Sequence, residues 1–246
     1  MRRVLLLWPL LCLAGLGGAA RAAGFSLAPT VLEIDPDRRM TVETRLTNIE
    51  NAPLTFTVEV MRWENVNGQD VYTPTRDVLV NPARFTLAPL GKQVIRVGLQ
   101  KRVGAAELTY RVFLRQQPSG AGAAPQPAAP SSTPADGSAA NIQTLLNISL
   151  PVYAAPASAA PKLVYTPAVK GTDLELGIQN AGNRHFTFRQ LSIVSDTGQT
   201  FTLASKAVLP GSAVTLTLPG FAGAKLLRMT TYDPQGKELY DELRLP

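Results

Sequence analysis

Cysteine and histidine are almost missing from this sequence. Its 246 residues include one cysteine, Cys12, and one histidine, His185. A disulfide bond needs two cysteines, and zinc sites are built mainly from several cysteine and histidine ligands. A Ser-His-Asp triad would have to use His185 as its base, and no serine lies in a pattern typical of a strained nucleophile. We therefore predict no disulfide, no metal site, no cofactor and no enzymatic activity.

Long hydrophobic runs are also missing, apart from one near the N-terminus. Arg2 and Arg3 precede an apolar stretch at residues 4–16, which is shorter than the roughly 20 residues needed to span a bilayer. The small residues that follow it, Ala20-Arg21-Ala22, fit a cleavage site. This pattern predicts that residues 1–22 are a secretion signal and that the rest of the chain is exported in soluble form.

The charge balance gives little reason to expect a nucleic-acid partner. The chain has 24 Lys and Arg against 18 Asp and Glu, for a net charge of +6. Without Arg2, Arg3 and Arg21 the basic count is 21, so the net charge falls to +3. No basic cluster is interleaved with aromatic residues, as is typical of nucleic-acid-binding surfaces. An ordinary solvated surface is the better interpretation.

Apolar and polar residues alternate over much of the sequence after the signal. A period of two is typical of strands with one buried and one exposed face. Turn-forming residues such as Asn67-Gly68 separate the alternating segments. This spacing predicts an antiparallel β-sandwich with about seven strands between Ser26 and Val152. The clearest alternating sets are Met40/Val42/Thr44/Leu46, Phe56/Val58/Val60, Ile95/Val97/Leu99 and Leu108/Tyr110/Val112/Leu114.

A second set of alternating segments follows Ala154-Ala155-Pro156. Two prolines in residues 155–161 restrict the connection between the sets. The sequence therefore predicts an all-β protein with a first sandwich domain at residues 23–154 and a second at residues 157–246. The predicted strands of the second domain are residues 163–165, 174–178, 186–194, 200–203, 214–218, 226–232 and 238–245.

A low-complexity segment precedes the last predicted strand of the first domain. Residues 118–140 consist mainly of Pro, Ala, Ser and Gly, which bury little apolar surface and predict a flexible loop. Residues 142–152 then form a predicted strand whose even-numbered side chains share one face. A strand that carries such an apolar row can be added to the sheet of another protein. Its members are Ile142, Thr144, Leu146, Ile148, Leu150 and Val152.

Several short motifs occur in order along the chain. Trp63 precedes the Asn67-Gly68 turn, and Asn81-Pro82 precedes Phe85. Trp63 is expected to cover the edge of the first sandwich, with an interface anchor as the alternative. The further motifs are YRVFLRQQP (110–118), SLPVYAAP (149–156), NAGNRHF (180–186) and VLPGS (208–212). Together they resemble the PapD-like periplasmic chaperones of the chaperone–usher pathway, especially the archaic branch that serves spore-coat-protein-U-like pili.

The resemblance implies a fold, a location and partners. The fold would be two tandem immunoglobulin-like sandwiches in a boomerang arrangement, in the periplasm. The protein would bind pilin subunits, whose sandwiches lack their last strand, by donating the strand at residues 142–152. It would then deliver them to an outer-membrane usher for pilus assembly, without ATP or any other cofactor.

The chain departs from the family pattern at two positions. The best-known branch holds the terminal carboxylate of the pilin with an arginine and a lysine in the cleft between the domains. Aligned on the family motifs, Val31 stands at the arginine position and Pro151 at the lysine position. Since a buried carboxylate needs a partner, our hypothesis is that Arg111 or Arg115 substitutes. The alternative is that both arginines are solvated.

Two other classes of protein remain open at this point. A secreted structural or adhesive protein of two sandwiches would keep the strand at residues 142–152 within its own fold. An exported hydrolase on a sandwich scaffold would depend on His185. The single histidine and the missing metal ligands argue against the hydrolase.

Overall fold

The computed structural model describes residues 24–118 and 145–246, and these residues form strands joined by turns and loops. The predicted signal at residues 1–22, most of the predicted loop at residues 118–140, Ile142 and Thr144 lie outside the described residues. Across the two described ranges, no helix has the length and apolarity needed to cross a membrane. The prediction of an all-β fold is confirmed.

The N-terminal half is a sandwich of two sheets. One sheet has the order β1-β3-β8-β6, and the other has the order β2-β10-β9-β4-β5, with β7 also paired to β4. The strands are β1 (Phe25–Ala28), β2 (Leu32–Ile34), β3 (Thr41–Asn48), β4 (Leu54–Val66), β5 (Gln69–Pro74), β6 (Val78–Asn81), β7 (Arg84–Leu87), β8 (Lys92–Leu99), β9 (Leu108–Gln116) and β10 (Asn147–Ala154).

The predicted alternation builds the core of this sandwich. Tyr110, Val112 and Leu114 of β9 are fully buried between the sheets, and the residues between them are not. Fully burying an aliphatic or aromatic side chain of this size contributes about 1.5–3 kcal/mol. The predicted turn is also present and forms a hairpin, because Asn67 and Gly68 adopt positive φ values of 52° and 80° between β4 and β5.

The N-terminal half has more strands than the sequence predicts. Residues 25–34 form two strands, because β1 pairs with β3 in one sheet and β2 pairs with β10 in the other. Pro29 lies in the break and has no N–H to donate to either sheet. The chain therefore contributes to both sheets near its start.

The C-terminal half is a second sandwich with its own core. Its sheets have the orders β11-β12-β15 and β14-β13-β16-β17. Leu176, Ile178 and Ile193 are fully buried between them. The strands are β11 (Leu163–Lys170), β12 (Asp173–Asn180), β13 (Phe186–Ser195), β14 (Thr200–Val208), β15 (Ala213–Leu218), β16 (Leu226–Tyr232) and β17 (Glu238–Arg244).

A small apolar cluster joins the two sandwiches. Trp63 and Tyr153 of the N-terminal half pack with Leu209 of the C-terminal half, and Val31 and Ala207 border the cluster. Trp63 is 3% exposed. It packs between the two sandwiches and does not simply cover the edge of its own, and its role as an anchor for a partner protein stays a prediction.

Candidate functional site: a free strand edge and a basic cleft

Strand β10 is paired along only part of its length on one side. It pairs with β9 from Asn147 to Ala154, but β2 covers only Val152–Ala154 on the other side. Among the described residues, no strand pairs with that side of residues 147–151. An unpaired strand edge is a template for a strand from another chain.

The hydrogen-bonding groups at this edge can be assigned. The N–H of Gln116 donates to the carbonyl of Leu146 at 2.8 Å, so the main chain of Leu146 faces β9. Since main-chain groups alternate along an antiparallel strand, those of Asn147, Ser149 and Pro151 point away from β9. The edge therefore presents the N–H and carbonyl groups of Asn147 and Ser149, whereas the carbonyl of Pro151 faces the N–H of Leu32 in the parallel pairing with β2. Pro151 has no N–H, a feature that limits pairing at exposed edges.

The apolar row on β10 is shared between the core and the rim of the sandwich. Leu150 is 3% exposed and Val152 is fully buried within the core of their own sandwich. Ile148 is half-buried against the edge of that core, and Leu146 is also half-buried. The expectation that the whole row is available to another protein is therefore corrected for Leu150 and Val152. They are buried because their side chains belong to the hydrophobic core of the N-terminal sandwich.

A cleft of about 320 Å³ lies between the two sandwiches, beside the odd-numbered face of β10. Val31 and Pro151, which occupy the two basic positions of the resembled family, both line it. Its charged lining residues are Arg111 and Asp70 from the N-terminal half and Arg189 and Lys206 from the C-terminal half. Three cations against one carboxylate make the cleft a basic site.

Arg111 is held on the wall of this cleft by an aromatic side chain. Its guanidinium carbon lies 4.0 Å from the centre of the Trp63 ring, within cation–π range. Its Nη1 donates to Ser149 Oγ at 3.3 Å. The Nε of Arg111 and the Nε1 of Trp63 are both buried without a hydrogen-bond acceptor among the described residues. Two buried donors beside three cations suit an anionic oxygen ligand.

Arg115, the other predicted anchor, does not line the cleft. It lies four residues further along β9 than Arg111, a distance of about 13 Å along a strand. Its guanidinium forms an exposed ion pair with Glu59 at 3.3 Å. The structure therefore separates the two arginines that the hypothesis grouped together.

Arg189 and Lys206 were missed by sequence reasoning. In β13 the side chains of Phe188 and Leu191 are both buried, which breaks the period of two at Arg189 and Gln190. Gln190 has a positive φ of 49° and lies outside the pairing with β14. The register with β14 is the same on both sides of Gln190, so no residue is inserted, and the change of buried face coincides with the irregular backbone at Gln190. The three-residue spacing between Phe188 and Leu191 could have indicated this irregularity from the sequence. The sequence does not show that Arg189 lines the cleft.

Tyr153 separates the cleft from the connection between the sandwiches. Burial raises its pKa to about 12, although the nearby positive charge of Arg111 acts in the opposite direction. Tyr153 is therefore a neutral hydrogen-bond donor at neutral pH.

Within the described ranges, His, Cys, Asp and Glu side chains do not gather into a group that could hold a metal ion.

Comparisons with known proteins identify the fold. No family model matches the sequence, and no curated protein matches it. Solved structures do match. One is a chain of the CsuC–CsuE chaperone–tip adhesion subunit pre-assembly complex from the archaic chaperone–usher Csu pili of Acinetobacter baumannii, with a TM-score of 0.65 and 16% identity over 89% of this chain and 98% of that chain.

Two further structures match over a similar extent. A chain of the Salmonella enterica SafA pilin–SafB chaperone complex has a TM-score of 0.63 and 16% identity, covering 92% of this chain and 99% of that chain. The E. coli chaperone DraB has a TM-score of 0.60 and 16% identity, covering 92% of this chain and 98% of that chain. At this identity the likeness shows that the chain has the two-sandwich fold of these proteins.

Proposed function

We propose that this protein is a periplasmic chaperone of the chaperone–usher pathway. It binds pilin subunits by donating part of strand β10 and delivers them to an outer-membrane usher. The observation that carries the proposal is the unpaired edge at residues 147–151, which borders an apolar row running from the core to the rim. The fold shared with chaperones from complexes with a pilin and with a tip adhesion subunit supports it.

Strand donation would use the two parts of β10 differently. Leu150 and Val152 anchor the strand in the chaperone's own core. Ile148 and Leu146 continue the same row at the rim, and Ile142 and Thr144 have the spacing to extend it. Each fully buried Leu or Ile contributes about 1.5–3 kcal/mol, less the entropy lost when the segment is ordered. The row would thus join the cores of the two proteins.

The basic cleft would hold the terminal carboxylate of the subunit. Arg111 is the anchor, since it lines the cleft and its Nε and the neighbouring Trp63 Nε1 lack acceptors. Arg189 and Lys206 would add positive charge from the other sandwich. Charge-assisted hydrogen bonds of this kind are about twice as strong as neutral ones. The proposal does not use Arg115, because it is ion-paired outside the cleft. Binding by these contacts needs no catalytic step.

The test is the capture of subunits by charge variants of β10. The chaperone is co-expressed with the pilin-like subunits encoded beside its gene, and the complex is isolated through a tag on the chaperone. Ile148→Asp should reduce the yield of complex at least tenfold, because the charge enters the row. Asn147→Asp is the matched control, since it adds the same charge one residue away on the exposed face, and it should retain most of the yield.

Two outcomes contradict the proposal. One is an equal yield of complex from Ile148→Asp and the unsubstituted protein. The other is a protein that captures no subunit and is found only within surface fibres, as expected of a structural or adhesive protein.

A further inference from the structure

The only histidine in the chain lies between the two sandwiches. Its Nδ1 is 2.8 Å and 2.9 Å from the two carboxylate oxygens of Glu107, and its backbone N–H donates to Glu107 Oε2 at 2.7 Å. The Glu107 side chain is fully buried and that of His185 is 9% exposed. The imidazole is also stacked on Tyr153, with ring centres 3.5 Å apart and planes 9° apart. We call Glu107, Tyr153 and His185 the interlock.

Hydrogen bonds of Glu107 and Asn183 hold the interlock in place from both sides. The N–H of Glu107 donates to the carbonyl of Asn183 at 2.9 Å. The Asn183 side chain donates to the carbonyl of Ala105 at 2.6 Å and accepts from the N–H of Ala160 at 2.8 Å. The turn before β13 is thus bonded to the loop before β9 and to the connection between the sandwiches.

The interlock is linked to both walls of the basic cleft. On one side, Tyr153 packs against Trp63 with ring centres 6.0 Å apart, and Trp63 lies under Arg111. On the other side, His185 immediately precedes β13, which carries Arg189. A displacement of the histidine relative to Glu107 would therefore move the two walls of the cleft relative to one another.

Lys206, the second cation of the C-terminal wall, lies on β14, which pairs with β13. Arg189 pairs with Ser205, and Phe188 pairs with Lys206, in the register between β13 and β14. Arg189 and Lys206 therefore move together when β13 moves. Both lie in the C-terminal sandwich, whereas Arg111 belongs to the N-terminal one.

We propose that Glu107, Tyr153 and His185 are positioning residues that set the separation of Arg111 from Arg189 and Lys206. Loss of the contact between His185 and Glu107 leaves a buried carboxylate without its side-chain partner, and the two sandwiches then separate at the cleft. The effect on carboxylate binding rests on the function proposed above. The effect on the position of Trp63 does not.

Two substitutions separate the contributions of the histidine. His185→Phe keeps an aromatic ring for stacking on Tyr153 and removes the side-chain hydrogen bond to Glu107, while the backbone N–H of residue 185 still donates to that carboxylate. His185→Asn keeps a donor close to the position of Nδ1 and removes the ring. Arg184→Ala is the matched control, because Arg184 also spans the sandwiches through an ion pair with Glu33 at 3.3 Å, but that pair is solvent-exposed.

The first readout is the fluorescence of Trp63, measured on the exported protein. The chain contains two tryptophans, Trp8 and Trp63, and mass spectrometry shows whether Trp8 has been removed with the signal. His185→Phe and Glu107→Gln should shift the emission of Trp63 to longer wavelength and increase its quenching by acrylamide. His185→Asn should restore a large part of the original spectrum, and Arg184→Ala should leave it unchanged.

The second readout is the distance across the cleft. Because Cys12 is the only cysteine, spin labels can be attached at Gln69→Cys and Ala204→Cys, both at exposed positions of the two sandwiches. The distance distribution should broaden in His185→Phe and Glu107→Gln. Circular dichroism confirms that both sandwiches remain folded in each variant.

An unchanged Trp63 spectrum together with an unchanged distance distribution in folded His185→Phe and Glu107→Gln overturns the inference. So does an equal change in Arg184→Ala, because the effect would then not be specific to the interlock. A changed cleft with normal subunit capture supports the interlock and argues instead against the carboxylate role of the cleft.

Discussion

Pro151 and Arg111 lie directly opposite each other on strands β10 and β9. Side chains that are opposite one another on one face of a sheet have Cβ atoms about 5 Å apart. A cation on β9 therefore reaches the same part of the cleft that a lysine at position 151 would reach from β10. Arg111 on β9 thus places a positive charge beside position 151, where the resembled family has a lysine.

The first prediction concerns the anchor in the cleft. Arg111→Ala should weaken subunit binding by about 2 kcal/mol, or ~30-fold in Kd, since a charged hydrogen-bonding partner of the carboxylate is lost. Trp63→Phe should weaken binding less, because it keeps an aromatic face beside Arg111 and removes the N–H together with part of the ring. Titration calorimetry with a purified subunit measures both effects.

Arg115→Ala is the control for this prediction. It removes the same side chain from the same face of β9, outside the cleft, and should change Kd less than twofold. Equal effects of the two arginine substitutions on Kd would show that a position inside the cleft is not required for binding. That result would contradict the assignment of Arg111 as the anchor.

The second prediction concerns the contribution of Leu150 to the stability of the N-terminal sandwich. Leu150→Ala should lower the free energy of unfolding by about 2–4 kcal/mol, because it leaves a cavity in the core of the N-terminal sandwich. Leu145, which is 43% exposed, is the comparison, and Leu145→Ala should change stability by less than ~0.5 kcal/mol. Urea denaturation followed by circular dichroism tests this, and a stable Leu150→Ala variant would refute the core position of Leu150.

The third prediction concerns the hairpin between β4 and β5. Gly68 has a φ of +80° with no neighbouring atom that a methyl group would meet. Gly68→Ala should therefore lower the free energy of unfolding by about 1 kcal/mol through backbone strain alone. Gly104 also has open space but no positive φ, so Gly104→Ala should have little effect. Thermal unfolding of the two variants measures the difference, which should disappear if the turn is not left-handed in solution.

The fourth prediction is a loss of stability at alkaline pH. The pKa of Tyr153 is about 12 in the folded protein against 10.0 for an ordinary tyrosine. Above pH 10 the unfolded chain therefore loses this proton before the folded protein does, so stability falls as the pH rises. From the two pKa values, Tyr153 should contribute a loss of about 1 kcal/mol between pH 9 and pH 11.

Urea denaturation at pH 9 and pH 11 measures this loss. Tyr153→Phe should show a smaller loss over the same interval, because phenylalanine has no proton to release. The same pH dependence in both proteins would mean that Tyr153 is not buried as the structure has it.

Much of the N-terminal sandwich follows from local patterns. The alternation of Tyr110, Val112 and Leu114 identifies β9 and its buried face, because successive side chains of a strand point to opposite sides. Asn67-Gly68 identifies the hairpin because both positions need a positive φ. The assignment of β1 and β2 to different sheets was not predictable in this way, since it depends on which strands lie beside residues 25–34.

The candidate site was only partly predictable, for a similar reason. The sequence by itself determined the strands, their buried faces and the apolar row on β10, because these depend on residues close together in the chain. The tertiary structure decided that Leu150 and Val152 belong to the protein's own core and that Arg111 shares a cleft with Arg189 and Lys206. Those relationships join residues that are far apart in sequence, and they exist only after β10 has paired with β9 and the two sandwiches have packed around Trp63.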